Sequence, residues 1–282
     1  MRLAIIADIH GNISALEAVL HDLAKSSFDK VVVNGDMVNR GPHSVEVMER
    51  LWEHDFDYTL GNHDDLMRLW VEKSDKIPQH WFGDPFWRAT EIAAKSLEKN
   101  GWLEAIRQMP MFQKIEVPGA PSLLVSHGSP RHYREGYGAF TKEEVFSELT
   151  AEYDADVFIG SHTHRTWEDR FHGKRFVNTG AVGAPFNSDP RAQYLILTLE
   201  AGDWRFEFRK LEYDRAATID SYTDSGFLEN GLLSAEIFRE EVRHATPLYD
   251  PFWRWADKHN LPRDSKTWEK FKRRFPERFD EK

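Results

Sequence analysis

Five short polar clusters, each placed directly after a run of apolar and mostly β-branched residues, constrain this chain more than any other feature. They are Asp8-Ile9-His10, Gly35-Asp36, Gly61-Asn62-His63-Asp64, Ser126-His127-Gly128 and Gly160-Ser161-His162-Thr163-His164; the preceding runs are residues 3–7, 31–33, 58–60, 123–125 and 157–159. Runs of this length read as buried strands. Their C-terminal ends then carry Asp, Asn and His side chains, where an open α/β sheet puts its ligand site. Oxygen and imidazole donors converging on one sheet edge point to a transition-metal site, and to two ions.

Residues 1–65 read as β-α-β-α-β. Apolar residues recur at helical spacing over residues 14–25 (Leu16, Val19, Leu20, Leu23) and 44–54 (Val45, Met48, Leu51, Trp52). Strands alternating with helices predict an α/β fold with a largely parallel sheet. Residues 66–110 carry Trp70, Trp81, Phe82, Phe86, Trp87 and Trp102 and read as a helical insert beside the site. The insert is either an aromatic core packed on the sheet or a cap that shapes a pocket. Strands return at residues 112–117, 122–125, 157–159, 167–171, 175–178, 194–199 and 204–208, with hairpin turns expected at Pro118-Gly119 and Gly202-Asp203. The second half is therefore more antiparallel, and two packed sheets are expected. Residues 213–282 read as helical and aromatic (Phe238, Trp253, Trp255, Trp268, Phe271). No Gly/Ser linker separates them, so residues 1–212 form the domain and the remainder an extension packed on it. Its aromatics would serve a homodimer interface as well as a core.

Charge and cysteine content narrow the function. With 47 acidic against 37 basic residues the net charge is −10, whereas binding along a nucleic-acid backbone calls for a basic stripe. The basic stretch Lys270, Lys272, Arg273 and Arg274 is followed by acids and reads as a solvated helix face. Long nucleic acid is thus not the expected partner. The chain has no cysteine, which excludes disulfides, iron–sulfur clusters and thiolate zinc sites. The run at residues 3–7 is too short for a signal-peptide core, and no run approaches the roughly 20 apolar residues of a membrane helix. A cytoplasmic location without a membrane partner is expected.

Asp8 and His10, two apart at a strand end, can both reach one ion. Asp36 follows a glycine, where backbone can approach a ligand closely, and its two oxygens can bridge two ions. Asn62 offers a neutral carbonyl oxygen; His127, His162 and His164 offer nitrogens. Imidazole and carboxylate donors suit Mn, Fe, Zn, Co or Ni, with Mn favoured. Two ions roughly 3.5–4 Å apart can polarise a phosphoryl oxygen and hold a hydroxide for in-line attack, which needs no protein nucleophile. His63, oriented by Asp64, is a candidate proton donor to the leaving oxygen. Arg40 is a candidate clamp for phosphate oxygens.

As an ordered set, D-x-H, G-D, G-N-H-[DE], a His before Gly, and G-x-H-x-H across residues 8–164, these clusters resemble the calcineurin-like metallophosphoesterase superfamily. The likeness continues through Asn178-Thr179-Gly180-Ala181-Val182-Gly183 and Asp189-Pro190-Arg191, similar to the bacterial and archaeal phosphodiesterase-like subgroup, and so spans residues 1 to about 210. The resemblance implies a four-layer α-β-β-α sandwich of two mixed sheets with both metals at the strand ends. It implies Asp8, His10, Asp36 and His164 as ligands of one ion. It implies Asp36, Asn62, His127 and His162 as ligands of the other, with Asp36 bridging, and His63 as general acid. Three features depart from or divide the pattern. The segment Gly35-Asp36-Met37-Val38-Asn39-Arg40-Gly41 resembles the box of protein phosphatases and symmetrical dinucleoside tetraphosphate hydrolases, which usually carry Asp or Ala at the position of Asn39. Gly128-Ser129-Pro130 follows the phosphodiesterase-like subgroup instead. Asp64 replaces the commoner Glu. The expected activity is hydrolysis of a phosphodiester or phosphoanhydride in a small nucleotide-type substrate by a metal-bound hydroxide. Dinucleoside polyphosphates, 2′,3′-cyclic nucleotides and the phosphomonoesters of a protein phosphatase-like enzyme are the alternatives; aromatic residues between 70 and 102 that could stack on bases speak for the first. A non-catalytic metal-binding regulatory module is the rival from another class.

Overall fold

The apolar runs are apolar throughout because both faces of their strands are covered. The computed structural model describes residues 1–280; residues 281–282, the end of the expected extension, lie outside them. β1 (Arg2–Ile6), α1 (Ile13–Leu23), β2 (Lys30–Asn34), α2 (Ser44–Trp52) and β3 (Asp57–Thr59) alternate as expected, and α3 (Asn62–Val71), α4 (Arg88–Lys99) and α5 (Leu103–Arg107) follow. Next come β4 (Phe112–Ile115), β5 (Leu123–Ser126), α6 (Glu143–Glu152), β6 (Val157–Gly160), β7 (Thr166–Phe171), β8 (Lys174–Thr179), β9 (Ala192–Glu200) and β10 (Asp203–Leu211). Helices α7 (Arg215–Asp224), α8 (Phe227–His244), α9 (Tyr249–Lys258) and α10 (Ser265–Arg274) close the chain.

The strands form two five-stranded sheets, in the orders β10-β9-β1-β2-β3 and β4-β5-β6-β8-β7. Both are mixed: β1 is parallel to β2 and antiparallel to β9, while β6 is parallel to β5 and β8. Successive residues of each strand serve different layers, because side chains alternate across a pleated sheet. Leu3 and Ile5 of β1 and Val32 of β2 meet Val125, Ile159 and Val177 between the sheets. Ala4, Ile6, Val31 and Val33 turn the other way, into a core shared with α1 and α2. On the far side of the second sheet, Leu124, Phe158 and Phe176 pack against Phe146 and Leu149 of α6. The result is the expected four-layer sandwich.

The aromatic insert and the C-terminal helices belong to the core over the first sheet. Trp70, Phe86 and Trp87 are buried there together with Phe238, Phe252, Trp268 and Phe271. Thus several aromatics that could have formed an interface are consumed within the chain. The hairpin expected at Gly202-Asp203 turns one residue earlier. Ala201 (φ 50°) and Gly202 (φ 85°) form a two-residue connection with both residues in the left-handed region, and Asp203 already belongs to β10. Lys270, Arg273 and Arg274 are exposed on α10, as the solvated-face reading expects. Among the described residues no helix is long and apolar enough to cross a membrane.

Candidate functional site

All five clusters meet at one end of the two sheets. A polar seam locks the sheets together there. Asn34 at the end of β2 donates its amide to the Ser126 carbonyl and to Ser161 Oγ, both at 2.9 Å, and accepts the Thr59 hydroxyl at 2.6 Å. The chain bends sharply after each strand. Asp8, His10, Asp36, Asn39, Arg40, His162 and His164 all have φ between 51° and 68°. Non-glycine residues adopt this region at a cost, and such residues concentrate where function requires it. Gly61 allows a close approach: a Cβ on it would stand 2.2 Å from Asp36 N and 2.3 Å from Asp36 Oδ1.

Two groups of donors result. One atom each from Asp8, His10, Asp36 and His164, and one each from Asp36, His127 and His162, lie within 4.8 Å of one another. Asn62 Oδ1, at the first turn of α3, is 3.2 Å from His127 Nε2 and so adjoins the second group. Asp36 belongs to both.

The hydrogen bonding around these atoms fits metal ions. His10 Nδ1 lies 3.3 Å from Val38 O, His127 Nδ1 2.9 Å from Asn34 O, and His164 Nδ1 2.5 Å from Ala184 O. A carbonyl only accepts, so each Nδ1 carries the proton and each neutral Nε2 presents a lone pair, the tautomer second-sphere carbonyls select in metal ligands. His10 Nε2 and His164 Nε2 then face each other at 3.2 Å, lone pair against lone pair. Each carboxylate has one oxygen tied to backbone and one bare. Asp8 Oδ2 accepts His162 N–H (3.2 Å) and Asp36 Oδ1 accepts His63 N–H (2.7 Å), while buried Asp8 Oδ1 and Asp36 Oδ2 have no donor. The bare oxygens sit 3.2 Å from His164 Nε2 and from His127 Nε2 respectively. Facing acceptors in a buried site repel unless a cation lies among them.

The titration behaviour points the same way. Burial would lower the His127 pKa, yet Asp36 and Asp8 push it up to about 10: without a cation among them the carboxylates draw a proton onto Nε2, and a metal ion would take that proton's place and leave the neutral imidazole as ligand. Burial presses His162 down to about 3 and holds His10 well below the usual imidazole range.

His63 is held by a residue for which sequence reasoning had no role. The Asn39 amide oxygen accepts Arg40 N–H (2.8 Å), which fixes the amide's orientation; its nitrogen then donates to His63 Nδ1 at 2.8 Å. The neutral imidazole therefore carries its proton on Nε2. Burial also lowers the His63 pKa well below its ordinary value. Asp64 differs from the expectation that it orients His63. Its carboxylate accepts backbone N–H from Asp36 (2.7 Å), Met37 (2.9 Å) and Gly61 (3.1 Å), so it staples the Asp36 loop to α3. The short Asp side chain reaches those amides because it lies at the third position of the helix, where carboxylates cap backward. Burial and the charge of Asp36 push its pKa up to about 7.

Arg40 is paired with Glu241 of α8 (2.5 Å), and its guanidinium lies over the rings of Phe186 and Phe238. Glu241 is itself fixed: its other oxygen accepts Leu248 N–H (2.8 Å) and Tyr249 N–H (2.9 Å). Phe186 also stacks on His164, with ring centroids 4.2 Å apart. A cavity of about 430 Å³ opens over the cluster, with Asp36, Arg40, Asn62, His63, His162 and His164 among its walls. Arg134, Trp81, Trp87, Tyr249 and Trp253 line it further out. Glu241 and Trp253 carry no local signal that could have singled them out, for each lies in an ordinary helix more than 200 residues from Asp36. Asn39 was visible as a departure in the Gly35–Gly41 box.

The family model for calcineurin-like phosphoesterases matches residues 1–166. An uncharacterised protein of Methanocaldococcus jannaschii is 26% identical over 233 residues, covering 75% of this chain and 88% of that protein. An asymmetrical bis(5′-nucleosyl)-tetraphosphatase of Oceanobacillus iheyensis is 22% identical over 197 residues, 64% of this chain and 76% of the relative. The crystal structure of a metallophosphoesterase from Sphaerobacter thermophilus superposes with a TM-score of 0.67 at 25% identity, covering 87% of this chain and all of that one.

Proposed function

The chain belongs to the calcineurin-like phosphoesterase family, and from that premise we propose that it hydrolyses a phosphoanhydride or phosphodiester bond of a small nucleotide-type substrate with two divalent metal ions. The observation that carries this reading is the set of buried lone pairs turned on one another: His10 against His164, His127 against Asn62, and the bare oxygens of Asp8 and Asp36. Asp8, His10, Asp36 and His164 would hold one ion; Asp36, Asn62, His127 and His162 the other. Bound there, the ions supply Lewis acidity and activate water at neutral pH.

The protein groups do the rest. Arg40, aligned by Glu241, orients phosphate oxygens. Water gives up a proton to solvent and adds to phosphorus as hydroxide, the bond to the leaving oxygen breaks, and the charge developing on that oxygen is met by the Nε2–H of His63. Asn39 donates to Nδ1 and burial opposes imidazolium, so His63 acts chiefly as a neutral donor. Such a donor suits a leaving group that needs little protonation, which favours the anhydride over an alkyl diester. The walled cavity supports a small substrate over a phosphoprotein, and the tetraphosphatase relative supports a nucleotide polyphosphate.

The test combines metal analysis with turnover of diadenosine tetraphosphate and of bis-nitrophenyl phosphate. We expect about two ions per chain and hydrolysis of both with manganese. Absence of turnover with Mn, Fe, Co, Ni and Zn would sink the reading. Asp36→Ala should lose metal and turnover together; retained activity would exclude a bridging carboxylate there.

A further inference from the structure

The outer half of the cavity is built by two segments that the family match does not explain together. Trp81 and Trp87 come from the turn region before α4. Tyr249, Pro251 and Trp253 come from α9, beyond the matched residues 1–166. The rings form one braced surface. Trp81 and Trp87 stack at 3.8 Å and 18°, and Trp253 meets both edge-on with centroids 5.4 Å away. Tyr249 is pinned behind them, its hydroxyl donating to Phe86 O at 3.1 Å and its ring stacked on Phe86 and Phe238. Trp81 and Trp253 are only partly buried, so these indoles are presented to the cavity and not fully spent on the core. The same cavity holds Arg40 beside the donor cluster and Arg134 on the opposite loop.

We infer that this wall is a subsite for the nucleobase of the substrate, with the attached phosphates running inward past Arg40 to the ligand cluster. This rests on the two-ion hydrolase reading for what happens at the inner end. A planar unsaturated group is what an indole wall recognises. A quaternary ammonium would also seek indole faces; the Arg263 guanidinium, paired with Asp84, already stands 5.9 Å from the Trp253 ring, and Arg254, paired with Asp250, lines the cavity, so phosphocholine is the competing probe. The Tyr249 hydroxyl is already engaged; the wall offers mainly ring surface, with the unpartnered Trp87 Nε1 and the charged Asp250 and Arg254 beside it. Recognition is therefore chiefly by stacking. The C-terminal helices are, on this view, half of the active site: α8 aligns Arg40 through Glu241, and α9 carries the base.

The experiment uses the full chain and two readouts. In the manganese-loaded enzyme, kcat/KM is measured for diadenosine tetraphosphate and for base-free tripolyphosphate, in wild type, Trp253→Ala and Trp253→Phe. Stacking of the usual strength predicts that Trp253→Ala lowers the preference for the nucleotide by roughly 5- to 150-fold, mainly through KM, and that Phe restores much of it. Independently, AMP should quench tryptophan fluorescence of the metal-free protein in wild type and not in Trp253→Ala, with phosphocholine and inorganic phosphate as controls. Quenching by phosphocholine but not AMP, or an unchanged nucleotide preference in folded Trp253→Ala, overturns the subsite while leaving the hydrolase intact. Absence of all turnover overturns the hydrolase, and AMP quenching then still decides the subsite.

Discussion

Replacing Asn39 by Asp should convert His63 from a neutral hydrogen-bond donor into a protonatable acid. In the native chain the Asn39 amide nitrogen donates to His63 Nδ1 at 2.8 Å, so imidazolium can form only by breaking that bond. A carboxylate of the same shape reverses the demand, because it requires a proton on Nδ1. A charge-assisted hydrogen bond is worth about 1.5–3 kcal/mol. At about 1.36 kcal/mol per pKa unit, His63 should rise by about one to two units. Burial and the nearby guanidiniums of Arg40 and Arg134 hold the native value well below the ordinary one and limit the gain. The sign follows directly. A general acid is active while protonated, so the limb on which activity falls with rising pH moves upward by the same one to two units. The assay is the pH dependence of kcat for an alkyl phosphodiester, whose leaving oxygen needs a proton, beside a nitrophenyl diester, whose leaving oxygen does not. Only the alkyl substrate should respond, and the response should vanish in Asn39→Asp combined with His63→Ala. An identical pH profile in Asn39→Asp with full metal content, or the same shift in the double variant, would refute this assignment of the His63 proton.

Other perturbations separate positioning from ligation. Asp64→Ala frees the backbone amides of residues 36, 37 and 61 and should weaken metal binding by about 10- to 100-fold, measured by metal titration; unchanged affinity would mean that the loop holds itself. Glu241→Gln keeps an acceptor for the Leu248 and Tyr249 amides but removes the charge facing Arg40. KM should rise about tenfold with metal content intact, and an unchanged KM would deny Arg40 its phosphate role. Asp22, nearly buried, accepts the Tyr194 hydroxyl (2.7 Å) and the Arg209 guanidinium (2.8 Å); although burial opposes it, these bonds hold its pKa below the usual carboxylate value. Asp22→Asn should cost about 1–2 kcal/mol at pH 7. A depressed carboxylate stabilises the fold above its unfolded pKa of about 4 and loses that contribution as pH falls through the folded value. The melting temperatures of the two proteins should therefore converge on acidification, and a constant gap would contradict the charge argument.

The sequence by itself determined the inner half of this site. A ligand-type residue directly after a buried strand must emerge at the strand's C-terminal end, and parallel strands in one layered sheet put those ends together. Periodicity thus put Asp8, His10 and Asp36 at one edge of the first sheet and His127, His162 and His164 at one edge of the second, and the packing of the two sheets brought the two sets together. The outer half was decided by tertiary structure. The Asn39 amide meets His63 across 24 residues, Glu241 reaches Arg40 across 201, and Trp253 joins Trp81. Asn39 showed only as a departure in its box, with no sign of its partner; Glu241 and Trp253 leave no local mark, since an acid or an indole on an amphipathic helix satisfies helical periodicity whether it packs in a core, faces water or borders a cavity. Which of these it does depends on where the helix is docked. That is fixed by the summed burial of α4, α8, α9 and α10 over the first sheet, a long-range energy that no window of sequence contains.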